Sequence, residues 1–230
     1  MRNALIKSSA FILPAIGLAA LGWFGTDSDV RIPVHWGLDG EADRYGGRVE
    51  AFLLLPVIMI GLSAVFAILP AIDPRGSNLK RSSVVLGTAW MGLLAFLLAL
   101  QAGMVALGLG WLSGDGVGLV PTLTLAAVGG LQILLGNVLG KARPNWFVGI
   151  RTPWTLSSDL AWDKTHRLTG RLMVLSGSVI LVSSWFLPSE RLTVLVLIVA
   201  LAPMVVGLVY SYLVWRSDPD RDTATPDDVD

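Results

Sequence analysis

The apolar residues of this chain form long continuous blocks instead of the short alternating patterns of soluble strands and helices. Each block holds about 20 residues, which is the length that a helix needs to cross a hydrocarbon core about 30 Å thick. The pattern predicts an all-α membrane protein, a polytopic bundle of six transmembrane helices. The predicted spans are residues 4–24, 50–72, 83–109, 119–140, 167–187 and 191–215.

Two of the polar connections are long, and they suggest how the chain is organised. We expect an N-terminal module at 1–72, with two spans and a loop at 25–49. A four-helix module at 73–215 follows, with its long loop at 141–166. The remaining segment, 216–230, is acidic, contains proline and lacks apolar periodicity, so we expect a disordered tail.

The composition is typical of a membrane protein, and it excludes several kinds of chemical site. The chain has 230 residues, of which 53% are hydrophobic and 15% charged, whereas soluble domains carry about 25% charged residues. It has no cysteine, which excludes disulfides, thiolate metal sites and a cysteine nucleophile. The net charge of zero gives no indication of direct nucleic-acid binding.

The basic residues predict the orientation of the bundle. With the N-terminus in the cytoplasm, thirteen of the 17 Lys and Arg residues fall on the inner side, as the positive-inside rule requires. Both termini and the loop at 141–166 are then cytoplasmic, and the loop at 25–49 faces outward.

Polar residues in the middle of the spans are few and uncharged, and Lys7 and Arg171 lie near span ends, where their long side chains can reach the interface. Because ion-coupled transporters usually keep an ionisable group inside the membrane, this pattern argues against ion coupling. Gln101, Gln132 and Asn137 either join helices by hydrogen bonds or line the cavity of a small-molecule or lipid transporter. Gly136 and Gly140 form a G-x-x-x-G pair that permits close helix packing.

The outward loop contains the sequence "IPVHWGLDGEADRYGGR" at 32–48. His35, Trp36 and Tyr45 are interpreted as anchors at the headgroup level. Two alternatives remain, a pH sensor at His35 and a binding surface for a ligand that arrives from outside.

Four acids of this region fall at positions 1, 3, 5 and 12 of a calcium-binding loop pattern. The sixth position of that pattern requires glycine for a sharp turn, and Arg44 stands there. We therefore predict no metal site. The four acids are Asp39, Glu41, Asp43 and Glu50.

The inward loop contains the second polar sequence, "PNWFVGIRTPWTLSSDLAWDKTH" at 144–166. Its tryptophans and arginines are typical of membrane-interface anchors. Ser157 or Ser158 is a predicted N-cap of a helix that continues into the fifth span, and Asp163 and Arg167 are spaced as an ion pair on one helical turn.

Catalysis has little support in this loop. No nucleophile accompanies its acids and histidine, so we predict no catalytic residue, no cofactor and no enzyme. An enzyme that uses Asp163, His166 and Arg151 on one substrate is the alternative, and it requires the three side chains to converge in one pocket.

The order of residues from Gly136 to Arg167 resembles the signature of the SdpI family of bacterial membrane proteins. The residues that carry this resemblance are Gly136, Asn137, Pro144, Asn145, Gly149, Ile150, Arg151, Thr152, Pro153, Trp154, Thr155, Leu156, Trp162, His166 and Arg167. The outward loop is similar to a module of unknown function that is common at the N-terminal end of this family. Its matching residues are Ile32, Pro33, His35, Trp36, Gly40 and Tyr45.

The resemblance implies a role that composition does not. It implies a multi-pass protein of the bacterial plasma membrane that confers immunity to, or senses, a membrane-active peptide toxin. It also implies that the protein holds a small transcriptional repressor at the inner membrane face. We expect the outward loop to meet the toxin and the inward signature to bind a partner, with membrane lipid around both.

Overall fold

A computed structural model describes residues 2–74, 76–112 and 118–221. Eight α-helices occur in these ranges: α1 (Arg2–Gly25), α2 (Leu54–Ile72), α3 (Gly76–Arg81), α4 (Ser83–Gly108), α5 (Leu119–Leu139), α6 (Pro153–Leu156), α7 (Asp159–Ser183) and α8 (Ser189–Arg216). Two strands, β1 (Ile32–Trp36) and β2 (Ala42–Gly46), and a π-helical segment (Val49–Leu53) lie between α1 and α2.

Within the described residues, five helices are long and apolar enough to cross a membrane. They are Ile6–Gly25, Val49–Ile72, Ser83–Gly108, Leu119–Leu139 and Ser189–Arg216, close to five of the predicted spans. The predicted span 167–187 lies in α7, which is long but contains charged residues in its first half. A multi-pass all-α membrane protein is therefore confirmed, whereas the exact count of six spans is not.

The long helices pack in two groups of three. α1, α2 and α4 contact one another, and α7 packs extensively against both α5 and α8. α4 also packs on α5 and so joins the two groups. The predicted module boundary near residue 73 stays a prediction, and α4, on its C-terminal side, packs against the N-terminal helices as well.

A buried glutamine joins α4 to the start of α2. The carbonyl of Phe52 would accept a helical hydrogen bond from residue 56, which is proline and has no N–H. Gln101 Nε2 donates to this carbonyl instead, at 3.1 Å, inside a cluster where Phe52 and Gln101 are fully buried. Gln101 thus has the helix-joining role predicted for it.

α5 and α7 approach each other at two pairs of glycines. A Cβ atom on Gly136 would lie 2.6 Å from the carbonyl oxygen of Gly170, and one on Gly129 would lie 2.8 Å from that of Gly177. The close approach predicted at Gly136 is confirmed. Gly140 is packed less closely, because its Cβ would meet the Arg167 side chain at 3.2 Å and the Arg167 Cα at 3.5 Å.

The outward loop contains an antiparallel β-hairpin that the sequence analysis did not predict. β1 pairs with β2 with irregular register on either side of His35, and Gly40 takes a φ of 80° in the connecting turn. Arg48 donates to the carbonyl of Thr26 at the end of α1. Because Gly40 also packs against Ser189, the hairpin lies over the bundle end where α1 ends and α8 begins.

Candidate functional site

The inward signature, residues 144–167, is an ordered unit and not a loose connector. It begins with a turn built around Asn145, which is fully buried. Asn145 Oδ1 accepts from the backbone N–H of Phe147 and Val148 at 2.9 and 2.7 Å. Its Nδ2 donates to the carbonyls of Arg143 and Val148 at 2.8 and 3.1 Å, so one side chain fixes the whole turn.

His166 is the central contact of the signature. Its Nε2 accepts from the Ile150 N–H at 3.0 Å. The proton of the neutral ring is therefore on Nδ1, which donates to the Trp162 carbonyl at 2.7 Å. His166 precedes the predicted fifth span, and its burial lowers the pKa of the ring from 6.5 to about 4, so the ring is neutral at physiological pH.

Trp162 packs directly on this histidine. The two rings stack with centroids 4.1 Å apart, and the indole Nε1 donates to the Ala142 carbonyl at 2.8 Å. Trp162 is fully buried. The prediction that it anchors at the lipid interface is therefore wrong: its indole joins α7 to the start of the loop.

Thr152 and Thr155 form a capping box at the start of α6, with Pro153 at its first position. Thr155 Oγ1 also donates to the Ile150 carbonyl at 2.7 Å. Thr152 Oγ1 lies 3.2 Å from Ser211 Oγ on α8. These hydroxyls satisfy the backbone of the turn and connect it to α8.

Three polar residues outside the predicted site hold the start of the loop. Asn78 Nδ2 donates to the Pro144 carbonyl at 3.1 Å, Ser82 Oγ accepts from the Arg143 N–H at 2.9 Å, and Asp73 Oδ2 accepts from the Trp146 N–H at 3.3 Å. They lie between α2 and α4. No local pattern identifies them, because their partners are more than 60 residues away in sequence.

The helix after the signature begins at the predicted cap. Ser158 Oγ accepts from the Ala161 N–H at 2.9 Å and donates to Asp218 Oδ2. Asp218 is buried and lies in the predicted tail, of which residues 222–230 lie outside the described residues. This contact joins the end of α8 to the signature.

Arg151, Trp146 and Trp154 present the accessible side of the signature. Arg151 is exposed and donates to the Trp146 carbonyl at 2.6 Å. Trp154 is partly exposed and packs edge-on against Tyr212, with centroids 5.2 Å apart. These side chains are fixed by the buried unit but remain available to a partner.

Asn137 does not join the signature unit. It is exposed on α5 and lines a separate groove with Arg167 and Arg171. Gln132 lies apart as well, since it is buried and donates to Ser176 Oγ and the Ala200 carbonyl at 2.8 and 3.2 Å. The three polar residues that a mid-membrane transport cavity required are therefore at different places in the bundle.

The enzyme alternative required Asp163, His166 and Arg151 to meet in one pocket. His166 is fully buried and uses both ring nitrogens for backbone contacts. Arg151 points to the surface and bonds to Trp146, and Asp163 pairs with Arg167 at 3.4 Å, as predicted. The three side chains thus have separate structural contacts.

The predicted outward site forms the hairpin. Pro33 and Tyr45 are paired in register across its strands, and Gly40 packs against Ser189 at the start of α8. His35 Nδ1 lies 2.6 Å from Asp43 Oδ1. Two acids of the calcium-like pattern are engaged within the hairpin, since Asp43 contacts His35 and Glu50 pairs with Arg44.

A cavity of about 370 Å³ lies beneath this hairpin. Its walls are mainly apolar and come from α2, α4 and α5, with Thr193 from α8. The polar groups His35, Arg44 and Glu50 lie on its hairpin side. Trp36 lines it too, and the buried indole Nε1 of Trp36 has no acceptor among the described residues.

Comparisons with known proteins identify two matching protein families and a similar protein. Residues 141–211 match the model of the SdpI/YfhL protein family, and residues 12–60 match a domain of unknown function, DUF1648. A similar protein is the Immunity protein SdpI of Bacillus subtilis (strain 168), 25% identical over 186 residues, which are 79% of this chain and 82% of the relative. No solved structure matches. The predicted resemblance to the SdpI family is therefore confirmed, and the segment that matches the family model contains the inward signature, residues 144–167.

Proposed function

We propose that this protein confers immunity to, or senses, a membrane-active antimicrobial peptide. The observation that supports this proposal is the buried hydrogen-bond network of the signature. Its residues form one buried hydrogen-bonded unit that packs against Val85 of α4, includes the start of α7 and contacts Ser211 of α8. A membrane anchor needs only exposed tryptophan and arginine, so this buried order supports a role beyond anchoring.

The outward hairpin is the proposed surface for the peptide. Its exposed acids Asp39 and Glu41 complement a cationic peptide, and the cavity beneath it offers an apolar site for one of the peptide's side chains. Trp36 adds a buried N–H that has no acceptor among the described residues, which a peptide carbonyl would satisfy.

The proposed mechanism is a shift between two packings of the bundle. A peptide that binds one packing more tightly raises the population of that packing. Because the signature touches three long helices, a change in their packing moves Arg151 and Trp154. Those exposed side chains are the proposed contact for a small transcriptional repressor on the inner membrane face.

The test uses bacteria that express the chain and are challenged with a panel of membrane-active peptides. The native chain should raise the inhibitory concentration of at least one peptide several-fold. Arg151→Ala and Trp154→Ala should remove this protection at normal membrane abundance, whereas Arg143→Ala and Trp185→Ala should keep it. If protection survives the first pair, the signature is an anchor only.

A further inference from the structure

A groove of about 380 Å³ lies where α5 and α7 cross. It is lined by Gly136, Asn137, Gly140, Arg167, Gly170, Arg171 and Val174. This lining provides two guanidinium groups and one amide, and none of its residues is a carboxylate. The glycines have no side chains to fill the space, so the groove is both open and electropositive.

Arg171 is the unusual residue of this groove. No described residue forms a hydrogen bond or ion pair with its side chain, and it is exposed. Arg167, one turn earlier, pairs with Asp163 at 3.4 Å. Of the two guanidinium charges in the groove, that of Arg171 therefore has no counter-charge among the described residues.

The depth of Arg171 makes this charge costly. Trp185 and Phe186, 82% and 79% exposed after the end of α7, are aromatic residues of the kind that mark a membrane interface. The predicted fifth span begins at residue 167 and ends at 187, beside these two aromatic residues. Because a helix rises about 1.5 Å per residue, Arg171 lies about 6 Å inside that predicted span, where an unpaired charge is unfavourable.

The direction of the Arg171 side chain reduces the cost of this charge. Helical Cα–Cβ bonds tilt toward the N-terminus, so Arg171 extends toward Arg167 and the signature end of the bundle. Guanidinium groups bind phosphate oxygens with two hydrogen bonds each. Asn137 adds amide donors at the same groove.

We propose that this groove binds the phosphate of an anionic membrane lipid, with Arg171, Arg167 and Asn137 as its donors. Phosphatidylglycerol fits this chemistry better than phosphatidylcholine, whose choline cation offsets the phosphate charge. The proposal does not depend on immunity, because it concerns only the lipid that surrounds α5 and α7.

The test is the thermal stability of the purified full chain in neutral detergent. Adding dioleoyl phosphatidylglycerol should raise Tm, because a ligand that binds the folded state stabilises it. Dioleoyl phosphatidylcholine and sodium phosphate at the same concentration should raise it much less. Arg171→Gln should lose most of the phosphatidylglycerol effect, whereas Lys164→Gln removes the same charge from α7 outside the groove and should keep it.

Three outcomes would overturn the proposal. Equal stabilisation by the two lipids would mean that the groove does not select an anionic lipid. Equal loss in Arg171→Gln and Lys164→Gln would assign the effect to bulk charge. Full stabilisation by sodium phosphate alone would make the groove a site for free phosphate and not for a lipid.

Discussion

The backbone of Gly149 lies directly against the imidazole of His166, and a Cβ atom on residue 149 would overlap its Nε2 atom. Gly149 also has a φ of 118°, which a residue with a side chain rarely adopts. This contact allows the following N–H, that of Ile150, to reach His166 Nε2. The signature thus requires glycine at 149 for two independent reasons.

We therefore expect Gly149→Ala to destabilise the protein. Backbone strain alone costs about 1–3 kcal/mol, and the clash with His166 adds to it. Gly87→Ala is the control, because a Cβ there meets nothing within 4 Å and alanine favours the interior of α4. Thermal melting in detergent should show a lower Tm for the first variant only, and equal Tm values would contradict the packing.

His166 predicts how stability depends on pH. Its pKa is about 4 in the folded protein and 6.5 without burial, so the unfolded chain takes up the proton first as the pH falls. The contribution of the neutral His166 ring to the free energy of unfolding is complete above pH 6.5, and it is lost as the pH falls from 6.5 to about 4. The loss amounts to about 3 kcal/mol.

His166→Gln should flatten this dependence, since glutamine does not titrate, and it should lower the stability at neutral pH because the stacking on Trp162 is lost. Gly87→Ala, which changes no titratable group, should leave the slope unaltered. Carboxylates titrate in the same window, so the quantity to compare is the difference between each variant and the native chain in melts from pH 7.5 to about 4.

Features that depend on neighbouring residues could be predicted from the sequence. Contacts between segments that are distant in the sequence could not. Block length was sufficient to locate five spans, and the Ser158 cap followed from residue type and position. The partners of that cap and of the signature were not predictable, since Asp218 lies 60 residues from Ser158 and Asp73 lies 73 residues from Trp146.

Two features were misinterpreted, each for its own reason. Trp162 was predicted to lie at the lipid interface because tryptophan is common there, yet it is fully buried and its indole donates to the Ala142 carbonyl. The hairpin was missed because its strands are only five residues long and contain Pro33 and Gly46, which weaken a strand pattern.

The crossing of α5 and α7 gives a matched pair of substitutions. Gly129→Leu would bring a side chain against the Gly177 carbonyl and force the helices apart. Gly130→Leu, on the next residue, meets nothing within 4 Å of its Cβ position. We expect a marked fall in Tm or in membrane abundance for the first and little change for the second, and similar behaviour would exclude close packing at Gly129.

The cavity beneath the hairpin can be filled without changing charge. Thr124 lines it, so Thr124→Phe should occupy the space and reduce protection against a peptide that the native chain resists. Thr122→Phe places the same ring on an exposed part of α5 and should keep protection. Loss in both variants at equal abundance would assign the effect to α5 in general and not to the cavity.

The orientation of the bundle is a prediction that single cysteines can test, because the chain has none of its own. Tyr45 is 47% exposed on the hairpin, and Lys164 is exposed on the part of α7 that belongs to the signature. A membrane-impermeant maleimide added to intact cells should label Tyr45→Cys and not Lys164→Cys, while permeabilised cells should show labelling of both. These two surface positions do not disturb the buried unit, whereas a cysteine at Ser158 would remove the cap of α7 and its contact with Asp218. The reverse labelling pattern would place the signature outside and exclude its proposed contact with a cytoplasmic repressor.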